Sequence, residues 1–347
     1  MKFLDKYFEI EKILNPYISG IEIPKESLYP KNYRNRCDLE LSSNIDNDYT
    51  SIFSINFTKK LKEYLQTINN NNFKLLEVMI KENNKNQILV KMICYIYNYN
   101  TRIKLKSLIV LLLYIAKMYN KELVSVYYQY TNNNSKPKKN GKYIHLYGYK
   151  DIVESYNLDN RIIKFHIEPD SFSRINYVES INIYNHILSL VLKNLDYKLV
   201  CLGRDINVPS LLLSKYFKST RIFTHCKLIY NDLLKNTYKE DHKISLTSKL
   251  NYKDIFNIDD DIILLSAGRN GVSDEVMDRL NKLDNIKQIL YISCNSKSMK
   301  RNIDYLLNKD SKYKIDRVVI VDEFPNTKYT NILISLKSIS FIRNNFV

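Results

Sequence analysis

The sequence predicts an α/β protein: a doubly wound C-terminal sheet with an antiparallel terminal hairpin, preceded by a mainly β, α+β domain. Three observations predict it. From Ile175 onward, short apolar runs alternate with stretches whose apolar residues recur at three- and four-residue spacing, as in parallel strands joined by helices. The last two runs, 317–324 and 331–338, have no helix between them and therefore form an antiparallel hairpin at the sheet edge. Before Ile175, runs rich in Tyr, Val and Ile dominate. A chain of 347 residues accommodates two domains of ordinary size, and the expected divisions are 1–32, 33–174 and 175–347.

Residues 1–32 read as a leading helix, with Phe3, Phe8, Ile10, Ile13 and Leu14 at helical spacing, and a turn-rich connector holding Pro16, Pro24 and Pro30. Strand-like runs then occupy 36–42, 51–57, 87–97 and 123–130, with helices over 58–66 and 103–119. Residues 69–72 and 131–140 are polar loops, the second carrying Lys136, Lys138 and Lys139. A long amphipathic helix over 175–195 opens the C-terminal domain. Its strands are expected at 198–202, 221–226, 243–248, 261–267, 288–294, 317–324 and 331–338, and its helices at 209–217, 227–239, 274–283 and 296–308. Ligands of such sheets bind at the C-terminal strand ends.

Lys and Arg number 53 against 37 Asp and Glu, a net charge of +16. Such an excess selects polyanionic partners, RNA or DNA ahead of an anionic membrane. The plainer reading is a coding bias that enriches Lys together with Asn, Ile and Tyr. The five cysteines are scattered and form no CxxC pair, which argues against zinc or iron–sulfur sites. Free thiols suit an intracellular, reducing compartment, the cytoplasm first, with an organelle or a viral factory as other settings. The first residues do not resemble a signal peptide, and the most apolar run, 108–116, is too short to span a bilayer. The histidines at 145, 166, 186, 225 and 242 show no metal-ligand spacing.

The most informative stretch is Leu290-Tyr291-Ile292-Ser293-Cys294-Asn295. A strand delivers Cys294 to its C-terminal end, and a helix with Met299, Ile303, Leu306 and Leu307 at helical spacing begins at Ser296. A thiol just before a helix N-terminus lies at the positive end of the macrodipole, which favours the thiolate. That is the setting of a cysteine nucleophile.

Several segments in order resemble the tRNA (uracil-5-)-methyltransferase family. Tyr33 to Glu40 resembles its early YRNK/R-C-E element, and Leu123 to Tyr128 with His145 to Gly148 its central β segment. Ile167 to Asn176 resembles the S-P-x-S-F-F-Q-V-N element, with Arg174 in place of the glutamine. Leu290 to Asn295 matches the nucleophile motif, and Asp322 to Thr327 resembles D-x-F-P-x-T. The resemblance implies a Rossmann-like, class I methyltransferase sheet, S-adenosylmethionine as methyl donor and a flipped uracil in tRNA or rRNA as substrate. It also implies the chemistry. The thiolate of Cys294 adds to C6 of uracil, so that C5 becomes nucleophilic and takes the methyl group. A carboxylate then removes the C5 proton, and the cysteine is eliminated.

Four positions depart from the family pattern. The methyl-donor loop, Cys201 to Pro209, retains one glycine, Gly203, followed by Arg204 and Asp205 and then by bulky Ile206, Val208 and Pro209. The acid that binds the donor ribose after the second strand is replaced by His225 and Cys226. The D-P-P-R-x-G element reads Ser266 to Gly271 and keeps only Arg269 and Gly271. The base, seven residues beyond Phe324, falls on Asn331, which cannot accept a proton at neutral pH. Asp205, Asp322 and Glu323 are the acids nearby in sequence that can substitute.

The expectation is therefore a catalytically degenerate homologue that binds no cofactor, serving as an RNA-binding or assembly subunit. The alternatives are an active methyltransferase using Cys294 with S-adenosylmethionine, and a protein–protein scaffold within a ribonucleoprotein or viral complex. The degenerate donor positions are Arg174, Gly203, Asp205, Cys226 and Ser266. Arg34, Arg36, Arg269 and Lys297 are the candidate RNA contacts, since guanidinium forks suit phosphate. Tyr127, Tyr128 and Tyr130 can stack on bases, or simply pack within a β segment.

Overall fold

The computed structural model describes residues 2–18, 27, 31–40, 50–67, 73–96, 101–131, 142–224, 226–237, 243–248, 255, 259–308 and 311–345. Lys136, Lys138, Lys139, His225, His242, Pro24 and Pro30 lie outside the described residues. The chain forms two compact units. One comprises Tyr29–Ser155 and Lys164–Tyr177; the other comprises Met1–Leu28, Tyr156–Ile163 and Val178–Val347.

The first unit is α+β. Its elements are β1 (Arg36–Glu40), α2 (Ile52–Thr67), β2 (Phe73–Glu82), β3 (Gln87–Ile96), α3 (Thr101–Met118), β4 (Glu122–Thr131) and β5 (Ile144–Gly148), and α1 belongs to the other unit. The five strands lie in sequence order and pair antiparallel, except for β3 and β4, which run parallel because α3 carries the chain back across the sheet. Phe57, Leu61, Leu112 and Ile115 of the two helices bury against Val78, Ile80, Val90 and Met92.

The run expected as a strand over 51–57 is instead the start of α2. Phe53, Phe57 and Leu61 recur every four residues and are all buried, whereas Ile55, which a period of two would also bury, is partly exposed. Ser51 Oγ accepts a hydrogen bond from the Ser54 amide at 3.1 Å and so satisfies one of the helix's first donors. Strand β2 was hidden by Glu77, Lys81 and Glu82, which interrupt its apolar pattern. The buried Lys81 Nζ donates to the carbonyls of Glu168 and Ser171 at 2.8 and 2.7 Å, and Lys91 pairs with Asp170 at 2.8 Å. These two lysines fasten the segment that carries the S-F-x-R element. A two-stranded hairpin, β6 (Ile152–Leu158) and β7 (Arg161–Ile167), turns through Asp159 and Asn160, both at positive φ.

The second unit holds the doubly wound sheet. Its strands are β8 (Lys198–Gly203), β9 (Ser219–Phe223), β10 (Ile244–Thr247), β11 (Ile262–Gly268), β12 (Gln288–Ser293), β13 (Tyr313–Val321) and β14 (Asn331–Ser338). The order is β10-β9-β8-β11-β12-β14-β13, with β14 inserted antiparallel between β12 and β13. The helices are α1 (Phe3–Leu14), α4 (Tyr177–Leu190), α5 (Asn207–Leu213), α6 (Lys227–Thr237), α7 (Asp274–Lys282), α8 (Ser296–Leu306) and α9 (Ile339–Asn345). The buried, nearly continuous apolar runs of β11, β12 and β14 are those of a sheet covered on both faces.

Helix α1, expected as a separate leading segment, is part of this unit's core. Tyr7, Ile10 and Leu14 share one apolar cluster with Met299, Ile303 and Leu306 of α8. The Tyr17 hydroxyl donates to Asp304 at 2.7 Å, and the Ser296 hydroxyl to Glu9 at 2.5 Å. Lys6 lies on the buried face of α1 and is 1% exposed. Its ammonium contacts Asp322 Oδ1 at 2.6 Å and the carbonyls of Phe324 and Tyr329 at 2.9 Å each, one acceptor for each of its three protons.

Removing one partner of a buried pair leaves a charge without compensation, which costs about 3–5 kcal/mol. Lys6→Met is expected to lower unfolding stability by that order in urea titrations, and Lys6→Met with Asp322→Leu to recover most of it. A loss below about 1 kcal/mol in the single variant, the scale of an exposed pair, would show that Lys6 is not a clamp.

Candidate active site

The C-terminal strand ends of the second unit bring the sequence-marked residues together in two groups. The first surrounds Cys294. Strand β12 is buried throughout, and Cys294 follows it as the first partly exposed residue. Asn295 then caps α8: its side chain accepts from the Lys297 amide at 3.2 Å and donates to the Arg269 carbonyl at 2.8 Å. The motif's asparagine thus ties the cysteine turn to the loop after β11.

A second amide fixes the same loop from below. Asn302 of α8 accepts from the Val272 amide at 2.8 Å and from the Tyr291 hydroxyl at 2.9 Å, and donates to the Val272 carbonyl at 2.9 Å. Gly271 sits at φ +77°, and a Cβ there would stand 2.5 Å from Asn302 Oδ1, which is why this glycine stays while the aspartate and prolines of the element do not. The Arg269 guanidinium is exposed and lies 4.6 Å over the ring of Tyr329.

The β14 register brings the base position to the same rim. The β12–β14 pairing ends at Ser293 and Ile332, so Cys294, just after β12, and Asn331, the first residue of β14, lie at the same end of the strand pair. Asn331 also ends the pairing of β14 with β13, opposite Val321. Two residues beyond Val321 comes Glu323, whose carboxylate accepts a hydrogen bond from the Asn331 side-chain amide. Glu323 and Asn331 are 2% and 3% exposed. Strand β13 stops short of the expected 317–324, which leaves Asp322, Glu323 and Phe324 in the connecting loop.

The second group lies at the ends of β8 and β11, where the strand order reverses direction. Gly203 has φ +132°, and an added Cβ would come within 2.1 Å of the Ser266 carbonyl oxygen, so the close approach of β8 and β11 requires glycine there. The Asp205 amide donates to Ser266 Oγ at 3.3 Å. Ile206, Val208 and Pro209 are buried. The side-chain amide of Asn207 is also buried, and neither its nitrogen nor its oxygen has a hydrogen-bond partner. A Cβ on Gly268 would meet nothing within 4 Å. Cys226 is partly exposed after β9, and its amide donates to Thr224 Oγ1 at 3.2 Å.

Other marked residues stand elsewhere. Arg34, Arg36 and Arg174 are carried by the first unit. Arg34 forms an isolated bridge with Thr50, Arg36 lies 3.7 Å from Asp38, and Arg174 is buried. Lys297 is exposed on the first turn of α8. Tyr127 is a packing residue: its hydroxyl donates to the Lys150 carbonyl, its ring meets Tyr143 edge-on, and burial pushes its phenol up to about 12. Tyr130 is exposed. Among the described residues no group of His, Cys, Asp and Glu is placed to hold a metal, and no helix is long and apolar enough to cross a membrane.

Sequence reasoning missed Lys6 and Asn302. Both carried a readable signal, a polar residue on an apolar helical face: Lys6 between Phe3 and Ile10, and Asn302 between Met299 and Leu306.

Comparison with known proteins agrees with this geometry. Residues 235–338 match the tRNA (Uracil-5-)-methyltransferase family, a span that includes β11, Cys294 and Asn331. An uncharacterised RNA methyltransferase of Fusobacterium nucleatum is 26% identical over 289 residues, 78% of this chain and 59% of that protein. This chain therefore spans about three-fifths of that relative's length. The 23S rRNA (uracil(747)-C(5))-methyltransferase of Proteus mirabilis is 36% identical over 73 residues, 21% of this chain and 18% of the relative. The crystal structure of the tRNA (uracil-54, C5)-methyltransferase of Pyrococcus abyssi, in complex with S-adenosyl-L-homocysteine, shares the fold: TM-score 0.69 at 17% identity, covering 97% of this chain and 84% of that one. The second unit thus has the Rossmann-like methyltransferase-type sheet.

The thiols of this chain differ sharply in environment. Cys37, Cys94 and Cys201 are buried, and burial pushes all three thiols up; Cys226 and Cys294 are partly exposed. Iodoacetamide on the native protein is expected to label Cys226 and Cys294 and to spare the other three until denaturant is added, as read by peptide mass spectrometry. Early labelling of Cys201 would contradict the packing of β8.

Proposed function

We propose that the chain is an S-adenosylmethionine-dependent RNA (uracil-5-)-methyltransferase that uses Cys294 as nucleophile. The observation that carries this reading is the rim itself: a partly exposed cysteine at the end of the strand pair that Asn331 begins, with the carboxylate of Glu323 held at the Asn331 side chain. The thiol and the carboxylate that the reaction needs are both present, although the carboxylate does not stand at the family position.

S-adenosylmethionine supplies the methyl group when bound. Ligands of doubly wound sheets sit where the strand order reverses, here at the ends of β8 and β11. The residues there suit a polar ligand in part. Gly268 leaves the end of β11 bare, and the buried Asn207 amide lacks a partner. Asp205, Asn207 and Ser266 are the groups that would hold the donor. The ribose acid is absent, since Cys226 stands in its place.

The RNA side is served by the net charge of +16 and by Arg269, a planar cation already stacked on Tyr329 at the rim. Uracil is the base that a thiolate addition at C6 followed by proton loss at C5 suits, and tRNA or rRNA is the substrate class. The second reading, a degenerate RNA-binding or assembly subunit, draws on Cys226 and Ser266, where donor-binding acids have gone.

Calorimetry with S-adenosylmethionine separates the two. The proposal expects weak but measurable binding. Cys226→Asp is expected to tighten it by roughly 10- to 100-fold, since a hydrogen bond to a charged group contributes about 1.5–3 kcal/mol. Methylation of RNA by the parent protein should vanish in Cys294→Ala. No binding at millimolar donor in either protein would leave the degenerate reading standing.

A further inference from the structure

We infer that Glu323 is the base that takes the C5 proton of uracil and that Asn331 is its positioning residue: the carboxylate has moved from β14 to the loop after β13 without leaving the rim. The inference rests on the methyltransferase reading above.

The position at which the family resemblance places the base is an asparagine, whose amide has no proton affinity at neutral pH. Yet this asparagine stands one residue from the last β12–β14 pair, Ser293 with Ile332, and Cys294 follows Ser293 at the same end of the strand pair. The amide nitrogen of Asn331 donates to Glu323 Oε2, so the carboxylate that Asn331 lacks is within one hydrogen bond of the place it vacated. Burial does not argue against this assignment, because Asn331 is as deeply placed as Glu323, at 3% and 2% exposed.

The neighbouring acid is already committed. Asp322 is paired with Lys6, and the same ammonium fixes the loop through the carbonyls of Phe324 and Tyr329. The Thr327 hydroxyl donates to the Phe324 carbonyl at 2.9 Å and tightens the turn further. Glu323 therefore sits on a loop fastened on both sides of it, as a base must to meet a proton at one fixed carbon.

The step balances as follows. With the Cys294 sulfur bonded to C6, a Glu323 oxygen takes the proton from C5. The C5–H electron pair forms the C5=C6 double bond, the C6–S bond breaks, and its electrons return to sulfur as the thiolate. The proton leaves the carboxylate for solvent. Without any methyl donor the same sequence exchanges the C5 hydrogen with water, because the C6 adduct is protonated at C5 and then loses a proton again.

That exchange gives a test free of donor affinity. The probe is a pool of unmodified tRNA and rRNA transcripts tritiated at uridine C5, incubated with the protein alone, with tritium release to water as the readout. The parent protein is expected to release tritium and Cys294→Ala to release none. Glu323→Gln is expected to lower release by about 10²–10⁴-fold, the usual contribution of a general base, while RNA binding, read by gel shift, stays at the parent level. A purely structural role would lose both signals together. The exchanged pair, Glu323→Gln with Asn331→Glu, returns the carboxylate to β14 and is expected to restore release to within tenfold of the parent. Release by Glu323→Gln at the parent rate, or no rescue by the exchanged pair, overturns the assignment and leaves the methyltransferase reading intact. No release by the parent protein overturns both.

Discussion

The pairing of β12 with β14 decides what chemistry this protein can hold. It joins Cys294 to residues more than thirty positions away in sequence, and a slip of one residue would turn Asn331 to the opposite face of the sheet. Both strands are apolar on both faces, so hydrophobic alternation alone does not set their register. A buried polar residue does. Gln288, at the start of β12, donates from one amide nitrogen to Ser335 Oγ on β14 at 2.8 Å and to the Leu190 carbonyl at 2.7 Å, and accepts from the Leu192 amide at 2.7 Å. A fully bonded glutamine in a dry core is satisfied in one alignment only, because any other leaves its amide unpaired at about 1–3 kcal/mol. The end of the strand pair that carries Cys294 and Asn331 is held in register from its far end.

The departures from the family pattern fall into two kinds. At Asn331, where the family pattern has an acid, the carboxylate of Glu323 meets the asparagine side chain. The replacements at Cys226 and Ser266 lie around the donor crevice, and no described carboxylate is bonded to either position; Ser266 accepts instead from the amide of Asp205. The departures from the family pattern are therefore concentrated at the ends of β8, β9 and β11, while the turn that carries Cys294 keeps its asparagine cap, Arg269 and the glycine packed against Asn302.

Much of this architecture was legible in the sequence because its signals are local. The strand–cysteine–helix unit, the terminal hairpin and the alternation of the sheet domain follow from periodicity, and β14 occupies the expected 331–338. The misreadings occur where one pattern fits two structures or where a charge interrupts a pattern. Phe53, Ile55 and Phe57 satisfy a period of two as well as Phe53, Phe57 and Leu61 satisfy a period of four, and only the tertiary cover of the five-stranded sheet decides for the helix. Lys81 and Lys91 look like surface residues until the carbonyls and carboxylate of 168–171 surround them. The Asn331–Glu323 bond was illegible for a different reason. It depends on where β13 ends and how the following loop folds back, and loop geometry leaves little trace in residue type.

The leading helix shows how a distant segment can set the chemistry of a site it does not enter. Lys6 reaches the loop after β13 only because Tyr7, Ile10 and Leu14 seat α1 on α8. Once there, it pairs with Asp322, while the Asn331 side chain bonds the next acid, Glu323. Two neighbouring acids thus take different partners, and the ammonium that holds the first comes from a helix more than three hundred residues earlier in the chain.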